Sequence, residues 1–302
     1  MNALDTDTPL AQFLPAAWDQ HADHPQELAA ALQARAPGLA TAGVDDAEAA
    51  DAIRLATHVW LAHLADSGGL QAFVQALPAS LTDNAKAGAM LLRTQWALAT
   101  LGGQPAPAVT PAQRWAALQN VWTLRALQGQ AADAQAGLLA EVPLALAEPD
   151  AAARRALAAT CNNLATELCS GSRGDAALDA LMLAAAQSAR QLWASAGTWV
   201  HIERADYRLA CCHAALGQGA EAVAYAQACL DGIAAHAAEP EADAAERFFA
   251  HEAMLRAQRA ARDVAAATAH RAQMLALLED IGDADIIVWC RQTLAALDSA
   301  AS

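Results

Sequence analysis

LACCHAALGQGAEAVAYAQAC, residues 209–229, decides the fold. Helix formers run as far as Leu216, Gly217 and Gly219 break them, and a second run begins with Ala222, Ala226 and Cys229 spaced three and four apart. That spacing puts small side chains on one helical face. Both glycines suit a helix C-terminus that needs a left-handed residue. The stretch therefore reads as two helices joined by a tight turn. Steps of 44 residues from Gly217 land on Gly129, Arg173 and Ala261, each at a comparable break. In the second copy Gly174 is followed by Asp175, placed to cap the outgoing helix, and Asp263 has that role in the fourth. The first copy has Gly129 and then Ala134, at the position matched by Leu178, Ala222 and Ala266. Because alanine makes up roughly 30% of the chain, identity between copies means little, and the order of breakers, caps and small residues carries the reading.

On these residues, 111–283 resembles the tetratricopeptide-repeat superfamily, in a long-helix form with a unit of about 44 residues in place of the common 34. The resemblance covers a little over half the chain. It departs from the pattern in the fourth turn, which lacks glycine, at Thr166, where a smaller residue is expected, and in keeping the terminal proline only as Pro149 and Pro240. It implies an all-α fold of antiparallel helical hairpins stacked as a right-handed superhelix, with the first helix of each hairpin lining a concave groove.

Residues 1–104 are less regular and read as a helical cap or degenerate repeats. Helices are expected at about 9–20, 25–36, 46–66, 69–77 and 82–102, with Asp45/Asp46 and Thr82/Asp83 as caps and Gly68-Gly69 as a break. Gly102-Gly103-Gln104-Pro105-Ala106-Pro107 stops any helix. Thr110-Pro111 restarts one. A last helix, about 284–299, would close the array in a capping segment 284–302. The composition agrees: helix formers dominate, β-branched runs are nearly absent, and at least about 65% helix with no sheet is expected. Trp115, Leu118 and Trp122 lie on one face and read as a buried seam.

Thirty-three acidic residues against eighteen basic ones give a net charge of −15, and Lys86 is the single lysine. Such a chain is repelled by phosphate backbones and anionic lipid, so neither nucleic acid nor membrane is the expected partner. No leader or spanning segment is legible, and the six cysteines lack CxxC spacing, so a cytoplasmic protein without disulfides is expected.

Clusters of reactive side chains read as structural. His21-Ala22-Asp23-His24 has no third partner at a recognisable spacing. His58 and His63, five apart, would diverge by about 140° on an α-helix and so not share a metal. Cys211-Cys212-His213 reads as packing, Arg173-Gly174-Asp175 as a turn, and the acids of 45–51 as helix-start residues that suit the dipole. No metal, cofactor or catalytic group is expected. The groove offers the one functional pattern: a single register position gives Gln119, Asn163, Tyr207 and His251, with Arg204 and Arg208 beside Tyr207. Forked guanidinium donors, an amide and an amphipathic ring suit an extended peptide. The expected function is thus a non-catalytic protein- or peptide-binding adaptor. The alternative is an all-α enzyme or accessory subunit that encloses a small ligand. Replacing Arg204 and Asn163 is expected to weaken binding and spare folding.

Overall fold

A computed structural model describes residues 8–41 and 43–299. Among them the chain is all helical, 79% helix in fourteen helices without a strand. It divides into two compact units, one ending at Leu138 and the other starting at Leu139.

The first unit contains α1 (Leu10–Gln20), α2 (Pro25–Arg35), α3 (Asp46–His58), α4 (Ser67–Ala76), α5 (Ala85–Leu101) and α6 (Pro111–Leu127), and α7 (Ala131–Ala147) begins in it. Its core is built from large side chains, among them Phe13, Leu28, Leu32, Ile53, Leu61, Leu70 and Phe73. Each contributes about 1.5–3 kcal/mol on full burial, far more than an alanine methyl. Trp115, Leu118 and Trp122 are buried, as their spacing implied. Thr110 and Gln113 form the capping box that starts α6.

Three local expectations are corrected. The helix read over 46–66 is not continuous: after His58 the backbone widens into a π turn, Val59–His63, in which the Leu64 amide donates to the Val59 carbonyl at 3.0 Å. Gly68 and Gly69 do not form the break, because they lie in the first turn of α4, capped by Asp66. Gly69 is needed for proximity, since a Cβ there would fall 2.3 Å from the Trp60 indole nitrogen. Nor do Thr82 and Asp83 cap α5. They sit in a 3₁₀ turn, and the Lys86 and Ala87 amides instead donate to the Asp46 carboxylate at 2.9 and 2.8 Å. Those two backbone bonds hold the Asp46 carboxyl below its usual range.

The breaker-rich stretch 102–110 is non-helical as read, yet α5 and α6 pack across it through Ala97, Ala117 and Val121. That contact keeps both helices within one unit.

In the second unit α8 (Ala151–Ser170) pairs with α9 (Ala176–Ala196), α10 (Trp199–Ala215) with α11 (Gly219–Ala235), and α12 (Ala244–Ala260) with α13 (Val264–Leu277), before α14 (Ala284–Ser299). Consecutive helices pack on one another from α8 to α13, and α8, α10, α12 and α14 also touch in that order. Each 44-residue turn falls between two consecutive helices, and those at Arg173, Gly217 and Ala261 join helices that pack on one another. Gly129, Gly174 and Gly217 take positive φ, and in the fourth turn Arg262 does so at 64°. Asp175 and Asp263 cap the outgoing helices. Gly219 is not a C-terminal residue as its sequence position suggested. It opens α11, where a Cβ would lie 2.5 Å from the Ala261 Cα. Ala210, Ala222, Ala226, Ala253 and Ala257 form an alanine-lined crossing, while Phe248, Leu255, Met274, Cys290, Leu294 and Leu297 seat α14.

Candidate binding pocket

Arg204, Tyr207 and Arg208 occur at i, i+3 and i+4 on α10, so one face presents all three. On α12, Glu246 and Phe249 repeat that spacing, and on α14 so do Ile286 and Trp289. The three faces meet around a pocket of about 340 Å³. Its wall is aromatic: the Phe249 and Trp289 rings lie 4.4 Å apart, and Tyr207 meets Phe249 edge-on at 6.4 Å. Trp289 is 57% exposed, a large apolar surface left in water beside a cavity.

The polar groups are tightly paired. Arg204 grips Glu246 with two bonds, 2.7 Å from Nε and 2.9 Å from Nη2. The Tyr207 hydroxyl donates to buried Glu252 at 2.9 Å, and Arg256 Nε donates to the same carboxylate at 2.8 Å. Glu203 is buried, and that burial, followed by the nearby Glu246 carboxylate, pushes its carboxyl up to about 8. Both effects favour the protonated form, which can donate a hydrogen bond. Arg208 lies over the Tyr207 ring at 5.6 Å, and its buried Nε has no hydrogen-bond partner. An unsatisfied cationic donor beside an aromatic wall suits a carboxylate joined to an apolar group.

Of the six sequence candidates the structure gathers Arg204, Tyr207 and Arg208 here. Asn163 is exposed on α8, and its neighbour Asn162 lines the pocket instead. His251 faces α13, with its Nδ1 3.0 Å from His270 Nδ1. Gln119 is half-buried on α6 in the first unit. Arg204 is also no simple ligand contact. Removing it would strand Glu246, 11% exposed, beside Glu203, so its replacement would affect stability as well as binding.

Glu203, Phe249 and Trp289 escaped the sequence reading. Phe248, 44 residues beyond Arg204, is fully buried, while the next residue reaches the pocket. The Cys211-Cys212-His213 run is buried, with His213 hydrogen-bonded to Gln218 at 2.6 Å, and the cysteines are free thiols. No described helix is long and apolar enough to cross a membrane. No protein-family model and no curated protein matches the chain.

Proposed function

We propose that the chain is a non-catalytic binding protein whose second unit, a tetratricopeptide-like array, holds a peptide or protein segment at the α10–α12–α14 pocket. The observation that carries this reading is the unpartnered Arg208 Nε beside the Tyr207–Phe249–Trp289 wall. A cavity of about 340 Å³ suits one anchoring side chain and its adjacent backbone. The matching segment carries an aromatic or aliphatic residue next to a carboxylate.

Panning a displayed random-peptide library on the purified chain tests this. Enrichment of an apolar–acidic pair is expected, together with at least a tenfold loss of affinity for the selected peptides in Arg208→Ala and in Trp289→Ala, about 1.4 kcal/mol or more each. No enrichment, or peptides indifferent to both substitutions, would sink the proposal. The small-ligand reading has one feature in its favour, the buried Glu203 carboxyl whose pKa burial and the Glu246 carboxylate raise above the usual range. It predicts that short aromatic carboxylic acids bind as tightly as any selected peptide.

A further inference from the structure

The π turn of the first unit brings together three histidines that lie apart in sequence. His21 follows α1, His58 ends α3 and His63 ends the turn. An α-helix would splay residues five apart by about 140°, whereas the wider i→i+5 turn brings them toward the same side. His58 Nε2 and His63 Nε2 are 3.2 Å apart. The His21 ring stands 5.1 Å from that of His58 and 4.9 Å from that of His63. One donor atom from each imidazole lies within 4.8 Å of the other two. Metal–nitrogen bonds of about 2.0–2.1 Å in tetrahedral geometry place donors about 3.3 Å apart. The His58–His63 pair already has that separation, and the His21 donor lies within 4.8 Å of both. All three side chains are half-buried and thus reachable from solvent.

The surroundings orient the ligands as a second coordination shell does. His21 Nδ1 makes a short hydrogen bond with the Trp18 carbonyl, which fixes the proton on Nδ1 and leaves Nε2 with its lone pair. The Asn120 side chain lies beside His58, and its buried Oδ1 has no hydrogen-bond partner. The Trp18 ring closes one side, 5.4 Å from His21 and 5.9 Å from His58. The nearby cation, Arg54, is paired with Asp51 at 2.8 Å.

We propose that His21, His58 and His63 form a three-histidine site for a divalent transition metal, zinc in the first instance, with a fourth position open to water or an external ligand. Three imidazoles without a carboxylate favour zinc, cobalt, nickel or copper over magnesium or calcium.

The test uses tag-free full-length chain stripped with chelator and titrated with Zn²⁺ and with Co²⁺. One equivalent of each is expected to bind, Co²⁺ giving the strong visible d–d absorption of a tetrahedral site that Zn²⁺ then abolishes, with no response to Mg²⁺. His21→Gln, His58→Gln and His63→Gln should each weaken Zn²⁺ binding at least about 100-fold. His24→Gln and His251→Gln should leave it unchanged. Thermal melts with and without Zn²⁺ check folding, and the wild-type melt should rise with Zn²⁺ concentration. The wild-type Co²⁺ spectrum decides even if a variant does not fold. Failure of the wild type to bind a stoichiometric ion, binding that persists in His63→Gln, or an equal loss in His251→Gln would overturn the site.

Discussion

At Gly219 a hydrogen in place of a methyl sets how closely two hairpins approach. The position opens α11, where alanine would gain less than the roughly 1 kcal/mol it gains over glycine in a helix interior. Its Cβ, however, would lie 2.5 Å from backbone atoms of Ala261, which cannot move as a side chain can. Gly219→Ala is therefore expected to cost on the order of 1–3 kcal/mol, read as a lower Tm. A raised Tm would show that the two backbones separate freely. Arg262 poses the opposite case. It holds a φ of 64° with an exposed side chain. Glycine would remove a left-handed penalty of about 1–2 kcal/mol and lose roughly 0.5–1 kcal/mol through a more flexible unfolded chain. Arg262→Gly should thus be neutral to stabilising by up to about 1 kcal/mol, and a clear loss in a denaturant melt would refute the strain argument.

Helix pairs in the second unit are spaced by alanine. Ala222 is fully buried among Ala210, Ala226, Ala253 and Ala257, so Ala222→Leu should overpack the crossing and cost about 1–3 kcal/mol in thermal unfolding. A neutral result would mean that α11 can slide. This level of organisation was legible in the sequence because turns depend on local chemistry: Gly129, Gly174, Gly217, Asp175 and Asp263 act on their own neighbours. What depends on distant partners was not. Asp46 caps α5 across forty residues, and nothing near Lys86 announces it. The pocket was half legible. Arg204, Tyr207 and Arg208 share a face by spacing alone, whereas Trp289 comes from a helix outside the repeat, and a 44-residue step from Arg204 lands on buried Phe248, one residue short of Phe249. The histidine cluster was missed for a different reason, since the 140° divergence assumes a regular helix where the backbone is wider.

For the whole molecule, buried charge sets the response to pH. Glu203 has a folded pKa of about 8 against 4.5 for the free side chain. The unfolded chain thus binds fewer protons between those values. The stability linked to this group is fully present below about pH 4.5 and is lost as pH rises through 8, by an amount on the order of a few kcal/mol. Glu203→Gln, neutral throughout, should gain on the wild type steadily from pH 5 to pH 8 in urea melts. A difference that stays constant with pH would show that Glu203 is ionised in the folded protein. With a net charge of −15, added salt should also raise stability by screening self-repulsion.

The wide turn at Val59–His63 is, in chain-length terms, an insertion: each of its rings encloses one residue more than an α-helical ring. Deleting Ala62 would leave the two histidines four apart, the interval at which an ordinary helix offers a pair of imidazoles to one ion. The shortened chain should close into a regular helix and still take up zinc. Its Co²⁺ spectrum, compared with that of the parent, would reveal whether the extra residue defines the site or is an addition the helix accommodates.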